Sequence, residues 1–110
     1  ENFPHLELQQ AKIKKVYEDQ KMVNAHRQMM VARKLELVTK KYEDAMTGLR
    51  FIRFLELHEA QLYKKHQELL NVLQRRAEEV VNKNGLHVQA KYQLKLHVLQ
   101  QEEVLLNNAL

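Results

Sequence analysis

The chain contains no Cys, no Ser and no Trp, and only two Gly and one Pro among its 110 residues. Without Cys there is neither a disulfide framework nor a thiolate metal site, which fits a reducing intracellular compartment, cytoplasmic or nuclear. Without Ser or Cys the commonest nucleophiles of covalent catalysis are missing. No apolar run approaches the roughly 20 residues that cross a bilayer, and the N-terminus shows no basic-then-apolar signal pattern. We therefore expect a soluble intracellular protein.

The sequence also has little that could bind a metal or a phosphate. Gly48 and Gly85 are isolated, so there is no glycine-rich phosphate loop. None of the six His residues has another His three or four positions away, which is the spacing that places two ligands on one helix face. Adjacent carboxylates on a helix point about 100° apart and make poor acid/base pairs. We predict no enzyme, no catalytic residue, no metal, no cofactor and no small-molecule substrate.

What the sequence does contain is helix formers. The chain is 45% hydrophobic and 29% charged, and it is rich in Leu, Gln, Lys, Glu and Ala. This composition predicts an all-α fold, with residues 1–110 forming one helical module. Pro4 is tolerated in a first helical turn, and Asn2 can cap it, so a helix should begin near residue 4.

A seam of apolar residues at alternating spacings of four and three runs through the middle of this first helix. We name it the central seam; its members are Val31, Leu35, Val38, Tyr42, Ala45, Leu49 and Ile52. The apolar residues nearer the N-terminus fall on the same side, so a single helix of about residues 4–83 is predicted. A turn near Gly48, giving a three-helix bundle, is the alternative; a mid-helix Gly costs only about 1 kcal/mol, which favours continuity.

Polar residues interrupt this face between the two apolar blocks, at Gln20, Asn24, Arg27 and Gln28. One interpretation is a polar layer that sets register, as a buried Asn does in coiled coils. The other is a stretch without a neighbour, whose opposite Met-rich side is exposed or lightly packed. Buried polar groups need hydrogen-bond partners, so we favour the second interpretation.

Asn82–Gly85 is the clearest break in the pattern, because Asn and Gly readily take the left-handed conformation that ends a helix. The chain is predicted to reverse there. Residues 86–98 then alternate apolar and polar as a strand does, but their composition favours a helix of about residues 86–108. That helix has two apolar stripes, and we expect both to be buried, either in a three-helix bundle or in a hairpin that dimerises. One stripe contains Leu86, Ala90, Leu94, Val98 and Leu105, and the other Val88, Tyr92, Leu96, Leu99, Leu106 and Leu110.

Basic residues occur as doublets, several of them followed by acidic residues at helical spacing. The predicted ion pairs are Lys14 with Glu18, Lys15 with Asp19, Lys41 with Asp44, and Arg75 with Glu79. The candidate anion-binding residues that remain are Arg27, Arg33 and Lys34. They support an alternative function, a basic helical surface for nucleic acid or an anionic membrane.

The favoured prediction is an elongated helical hairpin, or coiled-coil-like bundle, with a very long first helix. Its predicted function is structural: an adaptor that assembles proteins through apolar helix faces. We expect a homo-oligomer, such as a dimer, or a helical hetero-complex. The predicted protein interface is the central seam together with Leu96, Leu99 and Leu106.

Overall fold

The chain is almost entirely helical over residues 4–110, the part that the structure, a computed structural model, describes. Its elements are α1 Pro4–His58, α2 Ala60–Lys65, α3 Gln67–Lys83 and α4 Leu86–Ala109. The all-α prediction is confirmed. The segment with strand-like alternation forms α4, as its composition favoured. The predicted cap residue Asn2 lies outside the described residues.

Helix α1 continues through Gly48 without a break. A Cβ placed on Gly48 would meet no atom within 4 Å, so no close contact requires glycine there. The predicted alternative, a turn near Gly48, is wrong. The small free-energy cost of a glycine within a helix is outweighed by the packing of the apolar residues before and after it on the same face.

The first helix ends at His58 rather than near residue 83, which corrects the predicted length. Glu59 has φ −132° and ψ 57°, and His66 has φ −114° and ψ 20°, so each departs from helical geometry. Both breaks keep their backbone hydrogen bonds. The Glu59 N–H donates to Leu55 O over 2.9 Å, and the Leu70 N–H donates to His66 O over 2.9 Å. The chain therefore changes direction without leaving these donors unpaired.

The described chain comprises two compact units: unit 1 is residues 4–33 with Tyr92–Leu110, and unit 2 is Lys34–Lys91. In unit 2, Ile52 and Leu55 of α1 form a buried cluster with Leu70 of α3, and Tyr63 of α2 packs against it. In one straight helix Leu55 and Leu70 would be roughly 22 Å apart at 1.5 Å per residue. Their contact shows that the chain reverses between them, through α2.

The chain does not reverse at Asn84 and Gly85, contrary to prediction. In unit 2, Val80 of α3 lines a groove with Ala45, and further along the chain Gln89 of α4 accepts a hydrogen bond from Thr39 Oγ1 over 3.4 Å. As the chain passes from α3 into α4, its contact residues on α1 lie progressively closer to the N-terminus of α1. Both α3 and this part of α4 therefore run antiparallel to α1. No residue in the range 4–110 has a positive φ, so the left-handed conformation that motivated the prediction is not used.

The Asn84–Gly85 junction is instead an end-to-end connection between two helices. Asn84 Nδ2 donates to Val80 O over 2.9 Å and caps α3. Gly85 O accepts the N–H groups of Val88 and Gln89 at 3.0 and 3.1 Å and begins α4. Gly85 is buried, and a Cβ there would lie 3.0 Å from the His87 ring and 3.1 Å from Val81 O. Lack of space, and not a special φ, accounts for this glycine.

In unit 1, α1 and α4 are paired and antiparallel. Asn24 bonds to residues near the end of α4, whereas Val31 lines a groove with Leu94 earlier in that helix. Within the chain, helix α4 is buried on one side only, so burial of its second stripe by a second copy stays a prediction. The stripe through Val88 is half-buried up to Leu106, with Leu110 exposed, whereas the stripe through Leu86 is exposed along its whole length.

Candidate interaction surfaces

The most specific contact of unit 1 is a group of hydrogen-bonded polar residues between α1 and α4, which we call the polar layer: Asn24, Gln28, Glu102 and Glu103. Asn24 Nδ2 donates to Leu99 O over 2.8 Å and to Glu102 Oε1 over 2.9 Å. Gln28 Nε2 donates to Asn24 Oδ1 over 2.6 Å and to Glu103 Oε2 over 2.7 Å. Bonds to carboxylates are stronger than those between neutral groups. The layer therefore links two helices through directional, charge-assisted contacts.

Asn24 is 0% exposed, so the expectation that this stretch lacks a neighbour is wrong. Its opposite side is nevertheless exposed, including Met22 and Met29, as that interpretation expected. Every buried side-chain N or O atom within residues 4–110 has a hydrogen-bond partner. A buried polar layer needs hydrogen-bond partners for its amides, and α4 supplies them: two carboxylates and a backbone carbonyl.

The predicted protein-interface residues all lie on inward faces. Ile52 is buried and the other six members of the central seam are half-buried, as are Leu96, Leu99 and Leu106 of α4. Two members of the central seam pack against α3 of the same chain: Ile52 contacts Leu70, and Ala45 lines a groove with Val80. The seam is thus real as a packing surface. Its role in binding another chain stays a prediction.

The apolar surface that unit 1 leaves open is a groove between α1 and α4, which we call the unit 1 groove. It has a volume of about 460 Å³ and is open to solvent. Its lining residues are Arg27, Met30 and Val31 of α1 and Leu94, Lys95, Val98 and Leu99 of α4. Met30, Leu94 and Val98 are exposed, so their apolar side chains are accessible to a partner.

A second open apolar surface lies in unit 2, where the chain reverses. Phe51, Leu62 and Leu69 are exposed and line a groove of about 370 Å³ together with buried Leu55 and Leu70 and the ring of His66. Near the end of α1, the rings of Phe54 and His58 lie 5.0 Å apart at a tilt of 39°. These side chains form an apolar surface that the described chain leaves uncovered.

The three candidate anion-binding residues do not share one environment. Arg27 lines the unit 1 groove, and Arg33 and Lys34 are exposed on the following turns of α1. Of the four predicted ion pairs, Lys14 Nζ lies 4.0 Å from Glu18 Oε1, and both side chains are largely exposed. Within residues 4–110 the other three pairs do not approach this closely. Most basic side chains therefore keep their charge available to solvent.

Some features of these surfaces had no clear signal in the sequence. Phe51, Leu62, Leu69 and Leu73 are exposed, whereas the inward face of α3 follows Leu70, Gln74, Ala77 and Val81 and continues at Asn84. That face has four-three spacing but contains two polar residues, so a purely apolar template misses it. Lys95 was also not singled out. Its Nζ lies 5.7 Å from the centre of the Tyr92 ring.

Within the described residues, no group of three or more His, Asp or Glu side chains has an arrangement that could hold a metal ion. No described helix combines the length and the apolar character required to cross a membrane. Comparison with protein-family models, with curated proteins and with solved structures finds no significant match. The arrangement of surfaces on the chain is therefore the basis for any statement about function.

Proposed function

We propose that this chain is a structural or adaptor module that assembles proteins by binding helices of other chains to its exposed apolar faces. The observation that carries the proposal is the outward stripe of α4. Leu94 is 64% exposed and Leu105 is 69% exposed, with Val98 exposed between them, while the opposite stripe of the same helix packs inward. A row of exposed apolar side chains on a helix that is already anchored is typical of a protein–protein contact.

The size of this stripe indicates what kind of partner fits. Leu94 and Leu105 are about 16 Å apart along the axis, roughly three helical turns. Full burial of an aliphatic side chain gives about 1.5–3 kcal/mol, and these side chains are already partly covered. Completing the burial of Leu94, Val98 and Leu105, and of Met30 beside them on α1, therefore supplies roughly 3.5–7 kcal/mol. Association itself costs about 4 kcal/mol or more, so the partner has to follow several turns and add contacts of its own.

A helix satisfies this requirement, because its side chains at i, i+3, i+4 and i+7 interdigitate with a ridge of the same periodicity. The partner is a helix of a second copy of the chain or of another protein. Both options use the same α4 stripe. The proposal therefore concerns the mode of binding, helix on helix, and is tested on that level.

The test is sedimentation velocity over a concentration series, with the 13.2 kDa chain alone and with an amphipathic helical peptide that has a Leu stripe and neutral flanks. We expect a mass above that of the monomer, or bound peptide. Either should be lost in the double variant Leu94→Gln and Leu105→Gln. The matched control, Leu8→Gln with Leu57→Gln, changes two exposed leucines of α1 and should behave as the parent chain. A chain that stays monomeric and binds no peptide at about 100 μM, where even weak helix contacts populate, would refute the proposal.

A further inference from the structure

The unit 1 groove combines an apolar floor with charge of one sign. We propose that it docks an amphipathic helix of another protein, whose apolar stripe is flanked by acidic residues. This inference rests on the proposed function and specifies the partner of the same surface.

The apolar floor is formed by side chains from both helices. Met30 and Val31 of α1 face Leu94, Val98 and Leu99 of α4 across the groove. The lining residues cover about 6 Å of the α1 axis, from Arg27 to Val31, and about 7.5 Å of the α4 axis, from Leu94 to Leu99. Side chains at i, i+3 and i+4 of a third helix fit a groove of this length, as they do in helix bundles.

The charged residues that line the groove are both basic. Arg27 belongs to α1 and Lys95 to α4, so each wall of the groove contributes one cation. Lys95 Nζ lies 5.7 Å from the centre of the Tyr92 ring, a cation–π contact that brings no opposite formal charge to the groove. A docked helix would therefore place the residues that flank its apolar stripe near a cation on each side.

The carboxylates of α4 nearest to this groove are already engaged. Glu102 Oε1 accepts from Asn24, and Glu103 Oε2 accepts from Gln28, at 2.9 and 2.7 Å. Both side chains are half-buried in the polar layer. No acidic residue is among those lining the groove. The charge that the groove offers to a partner is consequently positive, and acidic flanking residues complement it.

The positive charge of the groove disfavours a second copy of this chain as the occupant. The chain has 18 Lys and Arg residues against 14 Asp and Glu, a net charge of +4. Its acidic doublets at residues 18–19, 43–44 and 78–79 each follow a basic doublet by a few positions. A copy would therefore bring additional cations towards Arg27 and Lys95, and like charges across an interface oppose binding.

The experiment uses the full chain and three fluorescent helical peptides of about 18 residues, five helical turns. The peptides share one Leu stripe and differ only in the flanking positions, which are Glu, Gln or Lys. Fluorescence anisotropy measures affinity at about 50 mM and about 300 mM salt, where screening lengths differ strongly. Two exposed ion pairs should make the Glu peptide bind about tenfold more tightly than the Gln peptide at low salt. The Lys peptide should bind most weakly, and salt should reduce these differences.

Two pairs of matched variants locate the contact. Arg27→Glu with Lys95→Glu should invert the peptide order, whereas Lys12→Glu with Lys21→Glu, which makes the same charge change at exposed sites outside the groove, should preserve it. Leu94→Gln should weaken binding of the Glu peptide several-fold. Leu57→Gln should not, because Leu57 is 63% exposed on α1 but does not line the groove. Far-UV circular dichroism of each variant confirms that it remains folded.

The outcomes separate this inference from the proposed function. Equal binding of the three peptides, lost in Leu94→Gln, overturns the acidic partner while the helix-binding function stands. Self-association through Leu94 that the Glu peptide cannot reverse identifies a second copy as the occupant and also overturns the inference. Binding to phosphatidylserine vesicles that needs Arg27 and Lys95, with no peptide bound, would assign the groove to an anionic membrane instead. Neither self-association nor binding of any probe would overturn both proposals.

Discussion

Replacement of Asn24 by Ala tests the polar layer most directly. The change removes two bonds donated by Asn24 Nδ2 and the one that its Oδ1 accepts from Gln28. A neutral hydrogen bond contributes about 0.5–1.5 kcal/mol net, and one to a charged group about 1.5–3 kcal/mol. Gln28 keeps its bond to Glu103, and half-buried Glu102 can turn towards water, so the loss is at the lower end of the sum, about 3 kcal/mol. Ala favours helix over Asn by roughly 0.6 kcal/mol. We therefore expect a net destabilisation of about 2 kcal/mol.

Urea unfolding followed by far-UV circular dichroism measures this effect, with the slope checked for constancy across the variants. Asn71→Ala is the matched control, because Asn71 is an exposed residue within α3; it should be neutral or slightly stabilising. Asn24→Leu should also be less stable than the parent chain, because it loses the same three bonds while Gln28 and Glu102 remain and are left without this partner. An Asn24→Ala variant within about 0.5 kcal/mol of the parent chain would refute the energetic role assigned to the polar layer.

Two further pairs of variants use neighbours that differ in burial or space. Leu70 is 7% exposed and Leu69 is 58% exposed, so Leu70→Ala should destabilise by about 2–4 kcal/mol and Leu69→Ala by less than about 0.5 kcal/mol; similar unfolding midpoints for the two would contradict the core at the reversal. Gly48→Ala should stabilise by about 0.5–1 kcal/mol, because nothing lies within 4 Å of the added Cβ in a helix interior. Gly85→Ala should instead destabilise by about 1 kcal/mol, because its Cβ would lie 3.1 Å from Val81 O; thermal melts that rank the two glycine variants in the opposite order would disprove this account.

Periodicity in the sequence was sufficient to predict the helices and the inward side of α1. The central seam, Val31 to Ile52, is half-buried or buried throughout. A four-three spacing puts its apolar residues on one face of the helix, and burial of that face is the most favourable. The same reasoning correctly carried α1 through Gly48. These features depend on local pattern and need no knowledge of the tertiary fold.

The position of the reversal could not be read in this way. It lies at Glu59 and His66, where no Gly or Pro marks it, and its geometry is stabilised by the distant contact of Leu55 with Leu70. The stronger local signal, Asn84–Gly85, joins two helices that continue in one direction along α1 within unit 2. Turn residues indicate where a helix can end. Tertiary packing decides whether the chain also reverses there.

The candidate surfaces were predicted only in part. Arg27 was singled out for its charge, but the apolar lining beside it depends on which stripe of α4 packs inward. The sequence presents both stripes as apolar, and the polar layer decides between them, because Glu102 and Glu103 must face Asn24 and Gln28. That choice leaves Leu94 and Val98 on the open side.

Helix α1 has a further property that follows from where its burial begins. Every described residue before Asn24 is exposed, so residues 4–23 are more lightly packed than the part of α1 that follows, and an isolated helix of that length is only marginally stable in water. Their amide hydrogens should exchange with solvent through local fraying, at small opening free energies that rise along the helix. From Asn24 towards Ile52 the amides should be protected by cooperative unfolding of the packed structure. One geometrically continuous helix thus contains two segments whose hydrogen bonds open by different mechanisms.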